Sequence, residues 1–200
     1  MIFTLKPAVV TFFLFASIRL HAQKWEHGVK FELNYSAAKG SGMNDSYSPG
    51  YSGGVWTTYA ITEKIKLQPE FFASQYNYVK AGDFDKYYKN SLGRLSANDK
   101  IRLAYINLPL LFCYEIFPEL SLLVGPQAGI VVFEDENLRK DGNNAFKNTE
   151  FSVNAGAELT LGTLGIYGRF NQGLSNISNM ESNYKWQSQH IQFGVSLRIK

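Results

Sequence analysis

The sequence predicts an all-β protein: an eight-stranded antiparallel transmembrane β-barrel whose strands follow one another as an up-and-down meander. Three observations lead to this fold class: an export-type N-terminus, eight segments with strand periodicity, and connections that alternate between long and short. Only helices and closed barrels satisfy their backbone hydrogen bonds in lipid. An exported chain that is rich in strands and lacks long apolar segments is therefore expected to cross a membrane as a barrel.

The first twenty-two residues have the pattern of a secretory signal peptide. Lys6 supplies a positive charge, an apolar run covers 8–18, and Ala22 is a small residue at the expected cleavage position. The apolar run is too short for a helix across ~30 Å of hydrocarbon, which takes about 20 residues. We therefore predict a signal peptide over residues 1–22 and one outer-membrane barrel domain over 23–200.

The composition argues against several classes of function. Removing Lys6 and Arg19 from the 20 basic residues leaves 18, against 17 acidic ones, so the charge gives no reason to expect nucleic acid as a partner. The only cysteine, Cys113, permits no internal disulfide and lies far from a lipoprotein cleavage site. No mature segment reaches 18 consecutive apolar residues, so transmembrane helices are not expected.

Strand periodicity recurs along the whole mature chain. Segments 29–35, 151–161 and 190–200 alternate apolar with polar residues, as half-buried strands require. In the last of these, Val195 and Ser196 are neighbours that should point to opposite faces. Five further segments complete the set of eight: 50–61, 64–79, 101–115 (apolar on both faces), 119–133 and 164–173.

Three prolines conflict with this assignment, because Pro69, Pro109 and Pro126 lie inside predicted strands. Proline donates no backbone hydrogen bond, and a closed barrel has no free edge that would tolerate the loss. The sequence therefore predicts local bulges at these positions, or strands that begin later.

The connections alternate in length. The long ones, rich in Gly, Asn, Asp, Ser and Lys, are 36–49, 80–100, 134–150 and 174–189. The short ones are Thr62-Glu63, Ile116-Phe117-Pro118 and Gly162-Thr163. Transmembrane barrels have short periplasmic turns and long extracellular loops. The alternation therefore places the four long connections outside the cell and both termini in the periplasm.

Aromatic residues make up 15% of the chain and collect near the predicted strand ends. At the long-loop end we expect a girdle of Tyr35, Tyr51, Tyr76, Tyr78, Phe133, Phe151 and Phe170. At the short-turn end we expect Trp25, Tyr59, Tyr114 and Phe117. Two such girdles are typical of membrane interfaces, whereas a soluble β-core would use the same residues as filling.

Several motifs resemble a known family. AYINLPLLF (104–112), LLVGPQAGIVV (122–132) and GIYGRFNQGLSNI (165–177), with GYSGG at 50–54, resemble the PorT-like outer-membrane β-barrel family of the Bacteroidota. The resemblance covers nearly all of the mature chain. It implies an outer-membrane location and, since the member best tied to a role acts in protein secretion, an accessory role in envelope processes. The chain departs from a common outer-membrane pattern by ending in Lys200 rather than Phe.

No catalytic, cofactor-binding or metal site is predicted. The mature chain has two histidines, His27 and His190, near opposite ends of the sequence, and neither has an evident nucleophile beside it. Gly162, Gly165 and Gly168 are not followed by a helix, so they indicate packing in a tight hairpin rather than a phosphate loop. Cys113 is interpreted as a small apolar strand residue.

Two loop segments have a composition that suits binding. The acidic cluster of Glu134, Asp135, Glu136 and Asp141 lacks the spacing of a calcium loop and is interpreted as a solvated loop. The segment 76–90 interleaves aromatic, basic and acidic residues, as either a binding surface or a rim belt with a polar loop.

The inward faces of the predicted strands carry four basic and three acidic residues. These are Lys30, Glu32, Lys66, Glu70, Glu158, Arg169 and Arg198. An eight-stranded barrel is just wide enough for its side chains to fill it. We therefore expect these charges to pair and to close the interior, rather than to line a pore.

The sequence favours a non-enzymatic outer-membrane barrel without cofactors. Its expected partners are membrane lipid and lipopolysaccharide, with an extracellular ligand or envelope protein reached through the long loops. Three alternatives stay open at this point. They are a narrow solute channel, which conductance would reveal, a lipid-acting enzyme, which replacing His190 would test, and a soluble lipocalin-like periplasmic barrel.

Overall fold

The computed structural model describes residues 25–84, 100–134, 145–179 and 185–200, and these residues form a closed antiparallel barrel. Its strands are β1 (Trp25–Lys39), β2 (Met43–Asn44), β3 (Ser48–Ala60), β4 (Ile65–Lys80), β5 (Lys100–Phe117), β6 (Leu120–Glu134), β7 (Thr149–Leu161), β8 (Leu164–Gly173) and β9 (Gln187–Arg198). Eight of them form the wall in the order β4-β3-β1-β9-β8-β7-β6-β5, and the pairing of β4 with β5 closes the ring. The predicted eight-stranded barrel is confirmed.

The ninth strand, β2, was not predicted. It lies in the first long connection, where Met43 and Asn44 pair with Lys80 and Val79 at the end of β4. The wall strands also run further into the long connections than the sequence pattern indicates, and β1 reaches Lys39. The three short turns lie together at the other end of the barrel, and in one of them Gly162 has a φ of 66°, which suits glycine. The predicted signal peptide, residues 1–22, lies outside the described residues.

The two faces of the wall have opposite chemistry. On β1, the outward side chains of Phe31 and Leu33 are 63% and 62% exposed, whereas the inward Asn34 is fully buried. The same alternation holds on β9, where Val195 faces out and Ser196 is buried inside. A lipocalin-like soluble barrel would need the reverse, with apolar residues inside and polar residues outside. The structure therefore excludes that alternative.

The three prolines do not produce the predicted bulges. Each keeps its register with one neighbouring strand, in the pairs Pro69↔Leu110, Pro109↔Gln127 and Pro126↔Val153, and loses pairs only toward the other neighbour. The register shifts lie elsewhere, between Ala104/Tyr105 and between Glu115/Phe117. Because every wall strand is paired on both sides, a missing N–H weakens one ladder while the other holds the strand in place.

The predicted aromatic girdles are confirmed for the residues that face outward. The prediction is wrong for two other residues, which face the lumen. Tyr35, Tyr51, Phe151 and Phe170 are exposed toward the long-loop end, and Trp25 and Phe117 are exposed toward the short-turn end. Tyr76 and Tyr78 instead face inward and are almost completely buried. Among the described residues, no helix is long and apolar enough to cross a membrane.

The arrangement of the loops predicts which positions a reagent outside the cell will reach. Asp45 lies exposed in the first long connection and Glu63 lies exposed in a short turn at the other end of the barrel. We expect a membrane-impermeant thiol reagent to label Asp45→Cys on intact cells, and to label Glu63→Cys only after the cells are broken. The unchanged chain is the control, since its buried Cys113 should stay unlabelled. Equal labelling at both positions on intact cells would contradict the topology.

Candidate functional site

The lumen of the barrel is the candidate functional site, and its short-turn end holds a cavity of about 290 Å³. Short turns lie on the periplasmic side of transmembrane barrels, so this end is called the periplasmic end. Inward side chains at the ends of β1, β4 and β9 form a charged rim there. Arg198 Nη1 lies 2.8 Å from Glu26 Oε1, and Lys66 Nζ lies 3.5 Å from Glu26 Oε2. These three side chains remain about one-third exposed, so their ion pairs are in contact with water.

A buried charge network occupies the lumen above this cavity. Lys30 Nζ lies 2.8 Å from Glu70 Oε1 and 3.1 Å from Glu158 Oε2. Arg169 lies 2.6 Å from Glu70 Oε2 and 2.9 Å from Glu32 Oε2, through its two terminal nitrogens. The network therefore ties β1, β4, β7 and β8 together across the interior.

Neutral side chains complete the hydrogen bonding of this network. The Tyr167 hydroxyl donates to Glu32 Oε2 at 3.0 Å, and Gln192 Nε2 donates to Glu32 Oε1 at 2.9 Å. Arg169 Nε in turn donates to Gln192 Oε1 at 2.8 Å, and its guanidinium lies 5.1 Å from the centre of the Phe72 ring. Buried charges are costly unless they are paired and hydrogen-bonded, and here both conditions are met.

A chain of hydrogen-bonded amide and hydroxyl side chains, the amide chain, crosses the middle of the lumen. Asn171 donates to Asn154, Asn154 donates to Gln127, and Gln127 donates to Asn107, at distances from 3.0 to 3.3 Å. Asn107 continues the chain to Ser74, on β4, at 2.9 Å. These bonds connect five consecutive wall strands, from β8 through β7, β6 and β5 to β4.

An apolar cluster fills the long-loop end, which is called the extracellular end because long loops of transmembrane barrels lie outside the cell. Its members are Ala38, Met43, Tyr76, Tyr78, Phe84, Ile101, Leu103, Tyr105, Ala145, Phe146, Ile177 and Trp186. Every one of the four long connections contributes at least one of these side chains. The cluster explains why the 101–115 segment is apolar on both faces, because Ile101, Leu103 and Tyr105 point into it.

The predicted inward charges all line the interior or its rim. Lys30, Glu32, Glu70, Glu158 and Arg169 meet in the buried network, while Lys66 and Arg198 meet at the periplasmic rim. The expected pairing of these charges is confirmed, and the closed interior stays a prediction.

The sequence analysis missed three members of this site: Glu26, Tyr167 and Gln192. The alternation of faces along each strand, here called parity, could have identified them. The position numbers of Glu26 and Lys30 on β1 differ by an even number, as do those of Tyr167 and Arg169 on β8. Side chains two residues apart on a strand point to the same face.

His190 has a partner that the sequence did not indicate. Its Nδ1 lies 2.9 Å from Ser36 Oγ, and its ring stacks on Tyr76 with the ring centres 4.0 Å apart. A serine beside a histidine is the arrangement that activates a nucleophile. Here both side chains are buried beneath the apolar cluster, so the pair is not open to a substrate.

The two loop segments are described only in part. Glu134 is buried and accepts hydrogen bonds from the backbone N–H groups of Ala145 and Phe146, whereas Asp135, Glu136 and Asp141 lie outside the described residues. Within the described ranges, no group of three or more His, Cys, Asp or Glu is arranged to hold a metal ion.

The predicted surface role of segment 76–90 is wrong for its described part. Tyr76, Tyr78 and Phe84 belong to the apolar cluster inside the barrel, whereas 85–90 lies outside the described residues. Cys113 faces the lumen, where it packs with Leu111 and Leu123. Gly162 forms a hairpin turn, and Gly168 lies beneath the ring of Phe193, as expected for packing roles.

Comparison with known proteins agrees with this architecture. The family model described as "Outer membrane protein beta-barrel domain" matches residues 21–179. The chain belongs to this family. It is therefore an outer-membrane protein, and the exposed apolar band of the barrel faces lipid. No curated protein sequence matches the chain.

Solved structures of similar fold include two bacterial proteins. Ail, the attachment invasion locus protein of Yersinia pestis, is 13% identical, with a TM-score of 0.52 over 88% of this chain and 99% of Ail. Neisserial surface protein A is 12% identical, with a TM-score of 0.51 over 86% of this chain and 96% of that protein. At this level of identity the similarity establishes the fold of the outer-membrane barrel domain alone.

Proposed function

We propose that this outer-membrane barrel is a non-enzymatic scaffold that presents its long extracellular loops to a ligand or to another envelope protein. The observation that carries the proposal is the apolar cluster at the extracellular end, to which all four long connections contribute. Trp186 packs against Phe146 and Phe84, with ring centres 5.0 and 6.0 Å apart. The bases of neighbouring loops are thereby fixed to one another and to the wall.

A filled lumen supports a scaffold rather than a channel. The charge network, the amide chain and the apolar cluster succeed one another along the axis, and each joins side chains from several strands. A conducting path would require a continuous water-filled opening through all three layers. The rigid interior instead serves to hold the wall and the loop bases in a fixed shape.

We expect the purified mature protein to add no ion conductance to a planar lipid bilayer. A porin inserted in the same bilayer provides the positive control, and gel mobility with and without boiling shows that the barrel is folded. Steady single-channel steps from the folded protein would contradict the scaffold proposal.

The burial of Ser36 and His190 supports the non-enzymatic part of the proposal. A lipid-acting enzyme needs its nucleophile within reach of a substrate ester, and this pair lies below the apolar cluster. His190 acts as a packing residue instead, through its stacking on Tyr76.

The finer role that we favour is an accessory one in envelope processes such as protein secretion. Support comes from the resemblance of the strand motifs 104–112, 122–132 and 165–177 to the PorT-like family of the Bacteroidota. Lipid and lipopolysaccharide would surround the wall, and an extracellular ligand or envelope protein would contact the loops. Replacing residues 86–98 with a Gly-Ser linker tests this role. The variant should still fold but should show the same secretion and surface defects as a strain without the protein.

A matched substitution in the short turn, Glu63→Gly, should leave these phenotypes unchanged. If the loop replacement is folded, present in normal amount and phenotypically silent while the full deletion has a defect, the loops are not the functional surface.

A further inference from the structure

The outer wall of the barrel bears a groove over the pairing of β1 with β9, the seam where the first and last wall strands meet. This seam groove has a volume of about 840 Å³. Its lining includes Phe31, Leu33, Tyr51, Ala73, Phe193 and Val195. It is therefore walled by large apolar side chains of the face that contacts lipid.

Two glycines account for the shape of the groove. Phe31 is paired with Gly53 on β3, and Phe193 is paired with Gly168 on β8. A Cβ atom on either glycine would lie 3.5 Å from the ring of its phenylalanine, so each ring rests over its glycine. The two rings thus lean in opposite directions away from the seam, and the space between them stays open. Aromatic side chains commonly cover glycines on neighbouring strands in this way.

We propose that the seam groove binds one acyl chain of a membrane lipid. The groove lies in the exposed apolar band of an outer-membrane barrel, so hydrocarbon is the medium that covers it. The hydrophobic effect does not favour one apolar contact over another within lipid, and binding there depends on van der Waals packing. A chain in the groove contacts walls on both sides, whereas a chain against a flat face has contacts on one side only.

The shape of the groove favours a linear occupant over a second copy of the protein. In a two-fold symmetric dimer the same patch occurs on both subunits. The projecting rings of Phe31 and Phe193 would then contact the projecting rings of the partner. The two grooves would lie opposite each other and enclose an unfilled cavity. A flexible chain fills the groove without this conflict.

Native mass spectrometry of the folded mature chain tests the proposal. The protein is reconstituted in nanodiscs of palmitoyl-oleoyl-phosphatidylglycerol and released at a collision energy that strips loosely held lipid. We expect the unchanged chain to retain one phospholipid. In Gly53→Leu/Gly168→Leu, the added side chains push both rings over the seam, and the lipid-bound fraction should fall about tenfold because many small contacts are lost together.

Ala155→Leu is the matched control, since it enlarges an exposed, lipid-facing residue of β7 outside the groove and should retain the lipid. If the double variant does not fold, Ala73→Leu narrows the groove from β4 by a smaller change. Failure of the unchanged chain to retain lipid, or equal retention in all folded variants, would overturn the proposal. So would a dimer of the unchanged chain that the groove-filling variant abolishes, because the groove would then belong to a second copy.

Discussion

Replacing Arg169 with leucine is expected to lower the free energy of unfolding by roughly 3–5 kcal/mol, the cost of removing one partner from a buried ion pair. Arg169 is buried and contacts both Glu32 and Glu70. Lys30 would still face Glu70, but Glu32 would keep only the neutral donors Tyr167 and Gln192. A buried carboxylate without a cationic partner destabilises the folded state.

Urea unfolding in lipid vesicles measures this loss, with the folded fraction read from gel mobility without boiling. Lys66→Leu is the matched control, because its partner Glu26 is also a carboxylate but the pair lies at the exposed rim. That change should cost only about 0–1 kcal/mol. The double variant Arg169→Leu/Glu32→Leu should recover part of the loss, since it removes the unpaired charge as well. If Arg169→Leu and Lys66→Leu lowered the free energy of unfolding equally, the charge network in the lumen would not be buried from water.

Val195→Arg is expected to cost roughly 2–4 kcal/mol, the penalty for arginine near the midplane on the lipid face of a barrel. Val195 is exposed on the outer wall, while the adjacent Ser196 is buried and donates a hydrogen bond to Glu158. Ser196 also borders the periplasmic cavity of about 290 Å³, which offers room and a carboxylate to an arginine placed there. Ser196→Arg should therefore be the milder change, although the two positions are neighbours in sequence.

A loss of stability alone does not show whether Val195 faces lipid or an apolar protein core, because arginine is unfavourable in both. Site-specific fluorescence quenching distinguishes the two environments. A fluorescent probe attached through Val195→Cys should be quenched by lipids that carry a quencher on the acyl chain, and one attached through Ser196→Cys should not. Equal quenching at both sites would refute the assignment of the faces.

Parity along the strands accounts for most of what the sequence predicted. An error of one residue in register reverses both faces, so the alternation of Phe31 with Glu32 fixed which side of β1 faces lipid. The same rule identified the inward charges one by one. It did not show which charges meet, because Lys30 and Glu158 are 128 residues apart and become neighbours only across the closed lumen.

Two residues were misplaced because their position was judged from composition near a strand end and not from parity. Tyr76 and Tyr78 lie an even number of positions after the inward Glu70 on β4, so the alternation of faces places them inside, where they are buried. The contact between Ser36 and His190 was also hidden, since 154 residues separate them in the sequence. That contact forms only when β1 pairs with β9 and closes the barrel, which no local pattern reports.

The pairing of β1 with β9 has a consequence for the order of events in folding. In an open sheet that follows the chain, β1 lies at one edge and β8 lies next to the other edge, so Arg169 and Glu32 are far apart. They meet only when the 28–39 and 187–198 segments pair and the ring closes. Contacts between such distant segments carry a large entropic cost and form slowly. Ring closure and the pairing of Arg169 with Glu32 are thus a single step, and until it occurs the membrane faces an unpaired strand edge and Glu32 lacks its cationic partner.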